Sequence, residues 1–279
     1  MNELKMNELK NAVRKVWPSH LREMKLRGEK IAMLTAYDAL MARLLEQAGI
    51  DVLLVGDSLG MVLLGYSNTL PVTLDDMVHH TKAVSRAARR ALVVADMPFL
   101  TYRVTTPETI RNAGRLIQEG GANAVKIEGG REVAESVARL VEMGIPVMGH
   151  LGLTPQSVNQ VGGFRQQAKS KESAHRLVED AKELEKAGVF AIVLESIPEE
   201  LARTVTAELK VPTIGIGAGP HCDGQVLVCY DALGMTGDSA PPFAKQYAQI
   251  GDEIVAAAKR YALNVKDVKK EDVIERAAS

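Results

Sequence analysis

Eight short apolar runs are spaced along this 279-residue chain, and most are separated by stretches with helical periodicity. They fall at about 31–36, 51–56, 91–95, 123–128, 146–150, 189–195, 212–216 and 226–230. Rich in Val, Ile, Leu and Ala and mostly without polar alternation, they read as strands buried on both faces of a parallel sheet. Between them, Met77, Val78, Val84 and Ala88 recur at helical spacing over 74–90. Ala174, Leu177, Val178, Ala181 and Leu184 do the same over 171–187. Thr106-Pro107 and Ile197-Pro198 mark helix starts. Gly49, Gly120, Gly144 and Gly188 mark helix ends, each expected to adopt a left-handed cap just before a strand. Eight such units over about 230 residues predict a (β/α)8 TIM barrel, for which ~250 is typical. A doubly wound open sheet is the alternative, but no G-x-G-x-x-G follows the first strand. The whole of 1–279 reads as one domain, with 1–28 as an N-terminal helical lead-in. The stretch 217–241 fits least well, having little helix between the last two strands.

Several function classes are disfavoured by composition. With 34 Lys+Arg against 35 Asp+Glu, the net charge of −1 offers no field for nucleic acid or an anionic membrane. Aromatic residues at 4% leave few platforms for stacked bases. Hydrophobic residues at 46% suffice for a large core, yet no run approaches the ~18 residues of a membrane span. Cys222 and Cys229 suit neither a zinc site nor a disulfide framework and read as reduced thiols. The N-terminal MNELKMNELK lacks the apolar core of a signal peptide, and its direct repeat leaves the native start undecided. A cytoplasmic protein is expected.

The strand ends carry the chemistry. Asp57, Asp96, Glu128, His150 and Glu195 each close or follow an apolar run, and IGIGAG closes another at Gly219. In parallel barrels the carboxyl ends of the strands build the active site. Single acids there could simply cap helices. Three carboxylates at one mouth, Asp57, Asp96 and Glu128, would repel unless a cation held them, and oxygen ligands favour Mg2+ over Zn2+. Lys126, two residues before Glu128, points to the same side of its strand. It could form a Schiff base, but the neighbouring carboxylate favours its ammonium form, suited to a substrate carboxylate or enolate. Glu195 is the candidate general base, or else a cap for the helix near Pro198. His150 is either a hydrogen-bonded core residue or a participant. Gly215, Gly217 and Gly219 could cradle an anion, though a tight turn explains them equally well. The loops 57–73 and 151–170, rich in Gly, Ser, Thr and Asn, are candidate lids.

In order along the chain, VGDSLGMVLLGYSNTLPVTLDDMVHH, VADMPF, AVKIEGG, GHLGLTPQ, IVLES and IGIGAGPHCDGQVLV resemble the 3-methyl-2-oxobutanoate (ketopantoate) hydroxymethyltransferase family. The likeness runs from about Lys30 to Tyr261. It implies a barrel of the phosphoenolpyruvate/pyruvate type that transfers a hydroxymethyl group from 5,10-methylenetetrahydrofolate to 3-methyl-2-oxobutanoate. It further implies one Mg2+ per subunit on Asp57, Asp96 and Glu128, and substrate contacts at Asp57, Ser58, Asp96 and Lys126. Glu195 would be the base and His150 an active-site residue of unassigned role. A homodecamer is implied by the family alone, and the glycine string then reads as a family-specific turn. Two rival readings stand beside this one. The first is an Mg2+-dependent lyase or mutase of the isocitrate-lyase type, which commonly uses a loop cysteine. The second is a non-catalytic barrel for ligand binding or assembly.

Overall fold

The computed structural model describes residues 14–276, so the repeated MNELK lies outside the described residues. Eight parallel strands close into a barrel in chain order. They are β1 (Ile31–Thr35), β2 (Val52–Val55), β3 (Leu92–Asp96), β4 (Ala124–Glu128), β5 (Val147–Gly152), β6 (Ala191–Glu195), β7 (Thr213–Ile216) and β8 (Gly224–Leu227). Closure is made by β8 pairing with β1, Met33 lying beside Val226. The helices are α1 (Pro18–Arg27), α2 (Ala39–Gln47), α3 (Leu74–Ala87), α4 (Thr106–Gln118), α5 (Ala134–Glu142), α6 (Lys171–Ala187), α7 (Glu199–Glu208) and α8 (Ile250–Arg276), with short helical turns in the longer loops. None of them, among the described residues, is long and apolar enough to cross a membrane. The chain divides into two compact units between Val228 and Cys229, where the sequence alone reads one continuous domain. The first unit holds the barrel; the second holds the turn Cys229–Ala232 and α8.

The barrel interior explains where a site can be. Ile31, Met33, Val52, Leu54, Leu92, Val94, Ala124, Met148, Ala191, Val193, Ile214 and Val226 form one buried cluster. They are alternate residues on successive strands, as inward-facing positions must be. Each fully buried Val, Leu or Ile contributes about 1.5–3 kcal/mol. Val16 and Leu21 join the same cluster, so the lead-in plugs the end where the strands begin. Lys25 fastens it there: its Nζ donates to the carbonyls of Thr206 (2.8 Å) and Val211 (3.1 Å) and pairs with Asp223 (2.9 Å). Only the carboxyl ends of the strands are left to form a mouth.

Local signals set the elements. Thr73 and Asp76 make a reciprocal capping box at the start of α3, and Thr105 caps α4 ahead of Pro107. Gly49, Gly144 and Gly188 take the expected left-handed conformation, with φ of 87°, 83° and 98°. At the fourth junction the left-handed residue is Gly121 (φ 74°), not Gly120. Gly120 is required for space, because a Cβ there would lie 2.4 Å from the carbonyl oxygen of Leu116. The last strand also differs from expectation, ending at Leu227 where the apolar run continues to 230. The apolar run outlasts the strand because Cys229 is buried in the helical turn Cys229–Ala232 that follows it.

Candidate active site

Following the inward-facing positions up each strand leads directly to the polar residues. On β3 the series Leu92, Val94 ends at Asp96; on β4, Ala124 is followed by Lys126 and Glu128. On β5 Met148 is followed by His150, and on β6 Ala191 and Val193 by Glu195. Asp57 departs from this rule. It lies two residues past β2 and reaches the mouth through the turn that begins the Leu59–Val62 helix. Register then sets neighbours side by side: Asp96 with Lys126, and Glu128 with His150. Gly152 sits opposite Glu195 on the adjacent strand. Gly152 has φ 96°, and a Cβ would lie 2.2 Å from the Glu195 carbonyl oxygen, so no larger residue fits beside Glu195.

The side chains form one connected group. Lys126 Nζ lies 2.9 Å from Asp96 Oδ1. Asp96 Oδ2 accepts from the backbone N–H of Asp57 at 3.0 Å. His150 stands between two acids, with Nδ1 3.3 Å from Glu128 Oε1 and Nε2 3.2 Å from Glu195 Oε2. Asp57, Asp96, Lys126, Glu128 and His150 are all buried, whereas the Glu195 side chain keeps 14% of its surface exposed. Ser58 exchanges a hydrogen bond with the Tyr37 hydroxyl (2.9 Å), and Tyr37's carbonyl contacts His80 Nδ1 (2.7 Å).

Electrostatics divides the group. Burial, aided by the charges of Asp96 and Glu128, pushes the Asp57 carboxyl well above its usual value. Glu128 is held below the usual value despite burial, by His150, Lys126 and the Gln156 N–H. Lys126 is raised because its three acids outweigh the desolvation that opposes its charge. For His150, burial and the Lys126 charge act downward, yet the carboxylates of Glu128 and Glu195 win and raise it to about 9. Both ring nitrogens then carry protons, and Nδ1 faces Glu128 as a donor. Its 3.3 Å approach to Lys126 Nζ is a contact between two cations, not a hydrogen bond.

This has a pH consequence for the metal-free protein. A folded pKa raised from 6.5 to about 9 stabilises the fold fully below 6.5, and that contribution is lost as pH rises through 9. In imidazole 1H–15N spectra of chelator-treated protein, one buried ring is expected to titrate near 9. His150→Gln should remove that resonance and flatten the alkaline fall in stability. A His150 ring titrating at or below 6.5 would contradict the assignment.

Sequence reasoning missed Gln156, Tyr102 and Tyr37. Gln156 is buried, and its side-chain NH2 donates to Asp57 Oδ2 (2.8 Å) and to the Met97 carbonyl (2.9 Å). Its backbone N–H donates to Glu128 Oε2 (3.1 Å), and the Tyr102 hydroxyl donates to its Oε1 (2.6 Å). The one signal was its place at the end of GHLGLTPQ. Among the described residues no group of three His, Cys, Asp or Glu side chains is placed to hold a metal ion. Glu128 is turned toward His150 and Gln156, and Asp96 toward Lys126, so the three acids do not converge on one point in this conformation. The IGIGAGP string completes β7 and opens the turn toward β8, with Gly217 and Gly219 left-handed (φ 58° and 78°). Cys222 and Cys229 are buried, and neither is in a disulfide.

Comparison with known proteins adds the family. The sequence model described as "Ketopantoate hydroxymethyltransferase" matches residues 15–270. The chain belongs to the ketopantoate hydroxymethyltransferase family. It is 58% identical over 254 residues to the 3-methyl-2-oxobutanoate hydroxymethyltransferase of Syntrophus aciditrophicus, covering 91% of this chain and 93% of that one. With the enzyme of the same name from Moorella thermoacetica it shares 58% identity over 252 residues, covering 90% and 94%. Ketopantoate hydroxymethyltransferases thus account for nearly the full described chain, which removes the lyase and non-catalytic readings. The barrel itself is shared more widely. A phosphonopyruvate hydrolase solved with oxalate and Mg2+ superposes with TM-score 0.60 at 12% identity, covering 94% of this chain and 91% of that one. The phosphoenolpyruvate phosphomutase of Streptomyces platensis gives 0.59 at 15%, covering 90% and 88%. At such identities the likeness is one of fold.

Proposed function

We propose that the acidic rim of this hydroxymethyltransferase enolises 3-methyl-2-oxobutanoate and presents the resulting carbanion to 5,10-methylenetetrahydrofolate. The activity is hydroxymethyl transfer to 3-methyl-2-oxobutanoate, a step of pantothenate biosynthesis, by membership of the family and identity to its enzymes. The observation that carries the residue roles is the His150–Glu195 contact, which sets a carboxylate on β6 at the mouth, one strand beyond His150 and two beyond Lys126.

The donor set fits a hard divalent cation. Three buried carboxylates face one ammonium, and burial together with the nearby charges of Asp96 and Glu128 pushes the Asp57 carboxyl well above its usual value. Asp57, Asp96 and Glu128 would hold Mg2+, with modest side-chain movement, and oxygen donors favour it over Zn2+. When bound it would supply Lewis acidity toward the 2-oxo and carboxylate oxygens of the substrate.

The chain's own residues do the rest. Lys126 offers the ammonium for the substrate's negative oxygens, and Asp96 at 2.9 Å keeps it charged and aimed. Ser58, fixed by Tyr37, lies beside Asp57 as a hydroxyl for the substrate carboxylate. Glu195 takes the C3 proton; His150 orients its carboxylate, and Gly152 leaves room for the Glu195 backbone carbonyl. The C3 carbanion then bonds to the folate methylene carbon as one of its two C–N bonds breaks. Water replaces the second nitrogen to give the hydroxymethyl group, and tetrahydrofolate leaves with one nitrogen carrying the proton first taken by Glu195 and the other a proton from that water. We place the reaction in the cytoplasm, where two buried thiols stay reduced, and in a homo-oligomer, a decamer by family resemblance. Incubation with both substrates and Mg2+ tests the reading: NMR should show 2-dehydropantoate, and its absence under every metal condition would refute it.

A further inference from the structure

The β5–α6 loop is tied at both feet to the residues around Glu195. Leu153 N–H donates to the Glu195 carbonyl (2.8 Å), and Gln167 N–H to the Ser196 carbonyl (2.8 Å). Between these feet the Pro155–Ser157 turn drives Gln156 inward, where it meets Asp57 and Glu128 from a single position. The amide has only one workable orientation. Asp57 Oδ2 and the Met97 carbonyl are acceptors and claim the NH2, while the Tyr102 hydroxyl donates to Oε1 at 2.6 Å. A flipped amide would set oxygen against both acceptors.

We propose that Gln156 is a positioning residue for hydroxymethyl transfer, its neutral side-chain amide, locked by Tyr102, fixing the Asp57 carboxylate while its backbone N–H holds Glu128. The proposal rests on the functional reading above. Neutrality is the point. Asp57 and Glu128 repel, and an Asp57 carboxylate not held by the Gln156 side chain would be free to turn away from the mouth. A Lys or Arg at 156 would fix Asp57 but would also cancel the charge a divalent cation needs. An Asp or Glu would add a further anion. A buried side-chain amide donates to Asp57 without changing the charge, and partners of this kind typically govern metal affinity by 10–100-fold. Because the same loop stands on Glu195 and Ser196, Gln156 also links the carboxylate side of the mouth to the base side.

Gln156→Leu keeps approximate size and removes every side-chain hydrogen bond, while Tyr102→Phe removes only the lock on Oε1. Titration of Mn2+ followed by EPR, without substrate, is the first readout; kcat and KM are the second. Gln156→Leu is expected to weaken Mn2+ binding about 10–100-fold and to lower kcat by a similar factor, with KM for the 2-oxo acid changing less. Tyr102→Phe should lose less, and nothing further when combined with Gln156→Leu, a coupling that a purely structural role would not produce. Folded Gln156→Leu with unaltered Mn2+ affinity and kcat would overturn the proposal. So would a Tyr102→Phe loss of the same size with and without Gln156. If Gln156→Leu does not fold, Tyr102→Phe must by itself weaken Mn2+ binding, and unaltered binding refutes the idea. If the unaltered enzyme turns over but holds no Mn2+, the metal reading fails, while kcat of the two variants still decides the role of Gln156.

Discussion

Glu195→Gln is expected to abolish proton removal while sparing binding. General-base assistance is typically worth ~10²–10⁴ in rate, so hydrogen–deuterium exchange at C3 of 3-methyl-2-oxobutanoate should fall by that factor. The amide keeps the shape of the acid and can turn its oxygen to the His150 N–H that Glu195 Oε2 now faces at 3.2 Å. Calorimetry should therefore find the 2-oxo acid bound within a few-fold of the unaltered affinity. Glu195 is also the one acid of the group with appreciable solvent exposure, which gives the captured proton a route out. Unchanged exchange would remove Glu195 as the base.

Lys126→Met should be costly twice over. It deletes the one ammonium that, among the described residues, stands with the buried acids of the mouth, and leaves Asp96 Oδ1, which now faces Nζ at 2.9 Å, with no other partner there. Breaking a buried ion pair from one side typically costs about 3–5 kcal/mol, and urea unfolding should read a loss of that order. Divalent metal should restore part of it, because a cation would relieve the same repulsion. Catalysis should fall separately by about 10²–10³, the usual effect of removing a charge-stabilising donor. Stability and exchange both unaltered would mean that Lys126 neither balances the acids nor touches the substrate.

How much of this was readable from the sequence depended on periodicity. The barrel was legible because its strands are buried on both faces and spell continuous apolar runs. Asp96, Lys126, Glu128, His150 and Glu195 were legible because each continues the alternate, inward-facing series of its strand. The register that pairs Asp96 with Lys126 and Glu128 with His150 could not be read, since pairing depends on residues distant in the chain. Gln156, Tyr102 and Tyr37 sit on turns and loops, where no period marks which side chain faces inward. β8 was placed two residues late because Gly224 and Gln225 carry no apolar signal. Gly224 belongs to the strand for packing reasons: a Cβ there would lie 2.5 Å from the Ile31 carbonyl oxygen. The choice of Gly121 over Gly120 likewise turned on a contact, not on composition.

The central claim is that this rim removes the C3 proton before the folate is involved. The most direct measurement follows the C3–H signal of 3-methyl-2-oxobutanoate by NMR in D2O, with enzyme and Mg2+ but no folate. The account predicts progressive loss of that signal, dependent on metal and stopped by chelation. A signal that persists without folate, from a preparation that forms 2-dehydropantoate when folate is added, would contradict it.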